Sequence, residues 1–201
     1  MAIERLREVE YRPELEDTVR RVEDASDSPT LLAIFVSPEK GVPMRELSEV
    51  QALAGVGLEG DRYAKRVGAY SIGDTGKEGR IPDDDRQVSI ISAEGIDTAN
   101  AELRAQGIDP FSPAETRRNL LVSASADDLN ALVGREFTIG GVRMIGVEQC
   151  DPCTRPSTLL KRGRDRQQFE AAFQNRGGLR ARILSDGGLQ AGNKMAMPRG
   201  R

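Results

Sequence analysis

The chain has 201 residues, 38% hydrophobic and 30% charged, which is enough apolar material for one core, or one core with an appended arm, under a heavily charged surface. It contains no histidine, so Ser-His-Asp and Cys-His nucleophilic catalysis are excluded and the commonest ligand for zinc or iron is missing. A net charge of -3 argues against general nucleic-acid binding, and no stretch approaches the ~20 apolar residues of a membrane helix.

Residues 1–30 read as an N-terminal charged arm. Met1 to Arg12 lacks the apolar core of a signal peptide, and Pro13 would interrupt any single helix. A cytoplasmic protein with reduced thiols is the expectation. Residues 31–201 read as one domain. Leu31-Leu-Ala-Ile-Phe-Val36 predicts a buried strand, and a second strand is expected around Leu47 to Leu53, ending in the glycine-rich Gly55 to Arg62. Ala64 to Asp85 has little periodicity and predicts a long loop.

Arg86 to Ile91 predicts the next strand. Ser92 can cap a helix from Ala93 to about Gln106, with Ile96, Ala99 and Leu103 on one face and Gly107 as its stop. Leu120-Leu-Val122 predicts a strand preceded by Arg117, Arg118 and Asn119. Phe137-Thr-Ile139, Gly140-Gly141 and Val142-Arg-Met144 have the form of a hairpin with a two-residue turn, and Gly146 is placed to bulge its second strand. Arg164 to Asn175 predicts a helix with Phe169, Ala172 and Phe173 as its apolar stripe, and Leu179 to Leu184 a further strand. The 21 glycines and 10 prolines favour such short strands and frequent turns, so the fold class is mainly β with helical insertions, a β-barrel.

Chemistry rests first on Cys150 and Cys153, the chain's two cysteines. A Cys-x-x-Cys pair can be a redox dithiol, although thioredoxin-like motifs open a helix and Pro152 follows a predicted strand. It can be half of a structural zinc site shared across a dimer, since zinc normally takes four ligands. It can be a pair of small semi-buried fillers, or one thiolate can be a soft metal ligand or a sulfur carrier. Arg155, Lys161, Arg162, Arg164 and Arg166 follow closely and supply positive charge of the kind that favours thiolates, or simply a solvated face.

Arg117-Arg118-Asn119 stands at a strand end, where arginine forks can bind an anion and Asn offers donor and acceptor; a capped surface turn is the alternative. Asn175-Arg176-Gly177-Gly178 can be an anion-binding turn or a plain helix-to-strand turn. Gly57-x-x-Gly60-Asp61-Arg62 matches neither the dinucleotide pattern nor the P-loop and reads as a glycine turn with an Asp–Arg pair. Asp83-Asp84-Asp85 can hold a hard cation or be an exposed acidic loop.

Taken in order, Gly57-x-x-Gly60-Asp61-Arg62, Gln87 to Glu94, Arg117-Arg118-Asn119-Leu120, Asp128-Leu-Asn-x-Leu-x-Gly134, Phe137-x-Ile139-Gly140, Glu148-x-Cys150-x-x-Cys153 and Arg176-Gly177-Gly178 resemble the MOSC domain, named for the C-terminal domain of molybdenum cofactor sulfurase. The likeness covers about residues 31 to 193. It implies a closed β-barrel resembling the pyruvate kinase barrel domain, and a role with molybdenum cofactor (molybdopterin) or sulfur. In the family a cysteine is proposed to carry sulfur, and in the amidoxime-reducing branch it ligates molybdenum. Cys153 best matches that residue, which makes it the implied metal ligand or persulfide carrier, with Cys150 an accessory or resolving thiol. Arg117, Arg118, Asn119, Arg176, Gly177, Asp61 and Arg62 become the implied cofactor contacts.

The resemblance has departures. Many relatives carry histidine soon after Gly-Asp-Arg, where this chain has Tyr63. The first 30 residues are too short for the N-terminal β subdomain of the amidoxime-reducing branch, and no aminotransferase-like desulfurase domain is present in the sequence. The expected function is therefore a molybdenum-cofactor-binding protein using a cysteine thiolate, with reduction of N-hydroxylated compounds as one outcome and a non-catalytic barrel binding a pterin or other anionic small molecule as the alternative. A redox or sulfur-donor protein partner is implied for the first.

Overall fold

A computed structural model describes residues 28–67, 85–162 and 165–198. Its strands are β1 (Leu31–Val36), β2 (Arg45–Leu47), β3 (Glu49–Leu53), β4 (Gly57–Leu58), β5 (Val88–Ser92), β6 (Leu120–Val122), β7 (Glu136–Ile139), β8 (Val142–Gln149), β9 (Leu179–Ile183), β10 (Gly187–Gln190) and β11 (Met195–Ala196). Among the described residues, four α-helices join them, α1 (Ala93–Ala105), α2 (Ala126–Asn130), α3 (Arg155–Leu159) and α4 (Arg166–Ala172), with a 3-10 turn over Ala114–Thr116. The expected arm lies outside the described residues except for its last three, of which Thr30 bridges to Lys194. Most of the long loop predicted over 64–85 also lies outside them.

The period of two along a strand sorts side chains between two cores. Ile34, Val36, Ile90, Leu120 and Val122 join the core enclosed by the sheets. Their neighbours Phe35, Ile91 and Leu121 face the other way, against Ile96, Ala99 and Leu103 of α1 and the rings of Phe111, Phe169 and Phe173. This is why β1, β5 and β6 read as continuous apolar runs rather than alternating ones. Ser92 caps α1 by accepting from the Gly95 amide, so β5 passes directly into the helix. The chain then returns to pair β6 parallel with β5, which requires a crossover connection of this kind. The Phe111 and Phe169 rings lie 4.6 Å apart, joining α4 to the second core.

Eight strands form one sheet in the order β11-β7-β8-β9-β5-β6-β1-β2, and β10-β3-β4 form a second. The continuous closed barrel expected from the sequence is not formed by these ladders. The larger sheet curls as a half-barrel, and the Thr30–Lys194 bridge, with backbone bonds from the Leu31 amide to Asn193 and from the Met195 amide to Pro29, links the start of β1 to the approach to β11. The reason is local. The single strand expected near 47–53 is broken at Ser48, so Arg45–Leu47 pairs with β1 while Glu49–Leu53 leaves to pair with β10 and β4.

The Gly140-Gly141 turn closes the β7–β8 hairpin with both residues at positive φ, 58° and 84°, as a two-residue turn requires. The irregularity foreseen at Gly146 is present as a register shift between Gly146 and Glu148. A Cβ on Gly146 would lie 2.2 Å from the Leu132 carbonyl oxygen, so this strand must carry glycine where the chain crosses it. Beyond the bulge, β8 delivers Glu148 and then Cys150 to one end of the half-barrel.

Candidate functional site

At that end the chain opens into a pocket of about 540 Å³, within the usual range for small-molecule sites. Its wall is assembled from strand ends and loops: Ser37 after β1, Asp61 to Tyr63 after β4, Arg86 to Ser89 at the start of β5, Arg117 to Asn119 before β6, Glu148 to Arg155 after the bulge, and Arg180 on β9. Both cysteines line it. Cys150 is buried, Cys153 is exposed, and each is a free thiol.

The implied cofactor contacts divide into a hydrogen-bonded frame and a pair of arginines on the pocket wall. Asn119 belongs to the frame. Its Oδ1 accepts from the Ser89 amide at 3.1 Å and the Ser89 hydroxyl at 2.8 Å, while its Nδ2 donates to the Phe35 carbonyl and to Asp61 Oδ2, each at 3.1 Å. Every donor and acceptor of the amide is therefore engaged. Asp61 is equally committed: Oδ2 also accepts from the Ser37 amide at 2.8 Å, and Oδ1 from the Tyr63 amide at 2.9 Å. These two buried side chains tie β1, β5, β6 and the loop after β4 together beneath the pocket.

Arg62 and Arg117 line the pocket wall. Both donate to the Ser37 hydroxyl, at 3.3 and 2.9 Å, and Arg117 also donates to the Val42 carbonyl. Burial first, then the neighbouring Arg62 and Arg155 guanidinia, push the Arg117 pKa down to about 10 against the smaller pull of Asp61 and Tyr63. Arg117 itself sits at φ 66°, the left-handed region. Because its pKa lies below the ordinary arginine range, the unfolded chain holds the extra proton between pH about 10 and that range, and stability from this group rises with pH there. Below pH 10 its charge opposes folding, and a bound anion would relieve that opposition.

Beside Cys150 lies a second group of charges. Glu148 Oε1 accepts from Arg86 at 2.8 Å and Arg180 at 3.0 Å. The Arg180 pKa is held above its ordinary value: burial lowers it, but Cys150, through charge and a hydrogen bond, outweighs this together with Glu148 and Tyr63.

The remaining sequence candidates do other work. Arg118 lines the pocket and donates through Nε to the Gly177 carbonyl at 2.7 Å. Arg176 and Gly177 lie outside the lining. Arg176 pairs with Glu102 at 2.9 Å and donates to the Ala172 carbonyl, closing the end of α4. Gly177 and Gly178 permit close backbone approach rather than cradling an anion. Asp85 pairs with Arg182 at 3.0 Å, while Asp83 and Asp84 lie outside the described residues. Among the described residues, no group of three His, Cys, Asp or Glu is arranged to hold a metal ion.

Sequence reasoning missed Ser37, Glu148 and Arg180 as pocket residues. Glu148 was visible as part of a motif but not as a charge partner. Arg180 and Arg182 were visible as alternating residues on one strand face, and the strand opposite was the missing information.

The sequence profile described as MOSC domain matches residues 63–196. The protein YuaD from Bacillus subtilis shares the fold with a TM-score of 0.66 at 18% identity, over 83% of this chain and 94% of that one. YiiM from Geobacillus stearothermophilus aligns with a TM-score of 0.57 at 13% identity, over 85% and 75% of the two chains. YiiM from Escherichia coli gives 0.55 at 16% identity, over 85% and 70%. No curated protein matches the sequence. With the profile spanning more than half of its length and ending on β11, the chain belongs to the MOSC domain family.

Proposed function

We propose that the pocket binds molybdenum cofactor, with the guanidinia of Arg62, Arg117 and Arg155 meeting its anionic end and the Cys153 thiolate meeting molybdenum or carrying sulfur for it. The observation that carries this reading is the gathering of those cations around a pocket whose rim holds an exposed thiol. The donor set fits the group: guanidinium forks suit phosphate, and a thiolate suits a soft metal. Arg117, desolvated and crowded by like charge, has most to gain from an anion.

The chain's own contribution is placement. Asn119 and Asp61 hold the strand ends at fixed separation, Arg62 and Arg117 orient the ligand's negative end, and Cys153 supplies sulfur from the solvent side. The cofactor would supply redox chemistry suited to reducing N-hydroxylated compounds, with electrons from a redox partner; as a sulfur carrier, Cys153 would instead receive sulfur from a donor protein. Such thiol chemistry belongs in the cytoplasm, where thiols stay reduced. No described helix is long and apolar enough to cross a membrane.

A second reading, a non-catalytic module for a pterin or other anionic small molecule, is favoured by the completeness of the arginine group without either sulfur. Anaerobic titration with molybdenum-loaded cofactor, followed by calorimetry, separates the two. The first reading expects Cys153→Ser and Arg117→Gln each to weaken binding at least about tenfold, the loss of one charge-assisted contact. Full affinity in Cys153→Ser with loss only in Arg117→Gln would transfer the assignment to the binding module. Full affinity in both variants would refute the pocket as the site.

A further inference from the structure

Cys150 is the nucleophilic side chain that the proposed function leaves idle, and its surroundings differ from those of a core filler. Its amide donates to the Gly178 carbonyl at 2.7 Å. Its own carbonyl is pressed against Gly177, where a Cβ would approach to 1.8 Å. The residue is thereby fixed at the end of β8 with only 2% of its surface exposed. Arg180 lies on the adjacent strand, in register with Glu148 two residues before Cys150, and lines the same pocket. Cys153 is three residues on, exposed, in the irregular stretch between β8 and α3, and lines the same pocket. One thiol is held inside beside a cation, and the other faces solvent, where a sulfur donor can reach it.

We propose that Cys150 is the resolving thiol for Cys153, expelling a sulfur atom carried there by closing a Cys150–Cys153 disulfide, with Arg180 as the residue that positions the Cys150 sulfur. The inference rests on the sulfur-carrying form of the proposed function. In the step, the Cys150 thiolate attacks Sγ of a Cys153 persulfide. The Sγ150–Sγ153 bond forms, the bond from Sγ153 to the outer sulfur breaks, and that sulfur leaves with the electron pair as hydrosulfide. Two cysteine sulfurs are oxidised to the disulfide and the sulfane sulfur is reduced, so the charge of the thiolate passes to the leaving group. A dithiol reductant then reopens the pair, becoming a disulfide itself.

The groups around the attacking sulfur suit this division. Glu148 and Asp151 flank Cys150 on its own chain segment, Arg180 approaches from β9, and Tyr63 and Arg118 line the same pocket. As a general rule, a nearby guanidinium favours the thiolate, which is the attacking species in thiol–disulfide exchange. Burial keeps Cys150 away from external donors, so loading falls to Cys153 and resolution to Cys150.

The test uses the full chain, reduced and then exposed anaerobically to inorganic polysulfide as the sulfur source. Intact mass and released hydrosulfide are followed in wild type, Cys150→Ser, Cys153→Ser, Arg180→Gln and Arg180→Lys. The expected wild-type product has lost two hydrogens and released hydrosulfide. Cys150→Ser should retain one added sulfur on Cys153, and Arg180→Gln should load equally but release at least about tenfold more slowly, with partial rescue in Arg180→Lys. If Cys150→Ser loads sulfur but loses it as fast as wild type, Cys150 is not the resolving thiol while sulfur carriage by Cys153 stands. If Cys150→Ser takes up no sulfur at all, carriage and resolution both fail. If Arg180→Gln releases at the wild-type rate, the positioning role of Arg180 is overturned.

Discussion

Gly177→Ala is expected to destabilise the protein by about 3 kcal/mol or more, enough to abolish folding in a marginal domain. The added Cβ would meet the Cys150 carbonyl oxygen at 1.8 Å and the Pro152 nitrogen at 3.3 Å. Both are backbone atoms, so no rotamer change clears the space, and β9 would have to move away from the end of β8. Gly178→Ala should be comparably damaging, because its Cβ would lie 2.1 Å from the Ile90 carbonyl oxygen at φ +95°. Gly188→Ala is the control, since its nearest neighbour is a side-chain nitrogen at 3.6 Å. Denaturant midpoints for the three variants decide the matter, and a Gly177→Ala protein as stable as Gly188→Ala would remove the close-approach explanation for this glycine pair.

Asn119→Ala should cost a similar amount, about 3 kcal/mol or more, through a different mechanism. The substitution deletes four side-chain hydrogen bonds at once. It leaves the Phe35 carbonyl without its Asn119 side-chain donor and takes one of three donors from the buried Asp61 carboxylate. The loss of a hydrogen bond to a buried charged group weighs more than loss of a neutral one. Arg117→Gln should behave oppositely, with a small stability change and a large loss of anion affinity, because its guanidinium is destabilised by burial and by its neighbours. Thermal melts of the two variants, with and without phosphorylated pterin, separate frame from binding surface. A stable Asn119→Ala with lost pterin affinity would reverse the two assignments.

Much of the fold was legible because local signals agreed with tertiary demands. Ser92 and Gly107 bound α1 within a residue or two, the Gly140-Gly141 turn set the hairpin, and Gly146 marked the bulge. What the sequence did not disclose was sheet exchange at Ser48, since Leu47 to Val50 has no residue that forces a strand to break. The short strands β4, β10 and β11 carry two to four residues each, too few for a period to be read.

The site was legible in part for the same reason. Motif order brought Asp61, Arg62, Arg117, Arg118, Asn119 and both cysteines to one pocket. Residue type alone did not tell which of them were already consumed by structural bonds. Apart from the Tyr63 amide two residues on, Asp61 and Asn119 are satisfied by partners 24 to 84 residues away, a fact no local pattern encodes. Arg176 and Gly177 looked like an anion-binding turn because glycine pairs serve both phosphate cradles and tight strand crossings, and here the crossing accounts for them.

The central claim is that Cys153 and the arginine pocket hold molybdenum cofactor. Its most direct test is the molybdenum and pterin content of protein purified anaerobically from a cofactor-producing host, beside Cys153→Ser. The account predicts molybdenum and pterin together in the wild type, with molybdenum lost from Cys153→Ser. Wild-type protein containing neither would contradict the claim.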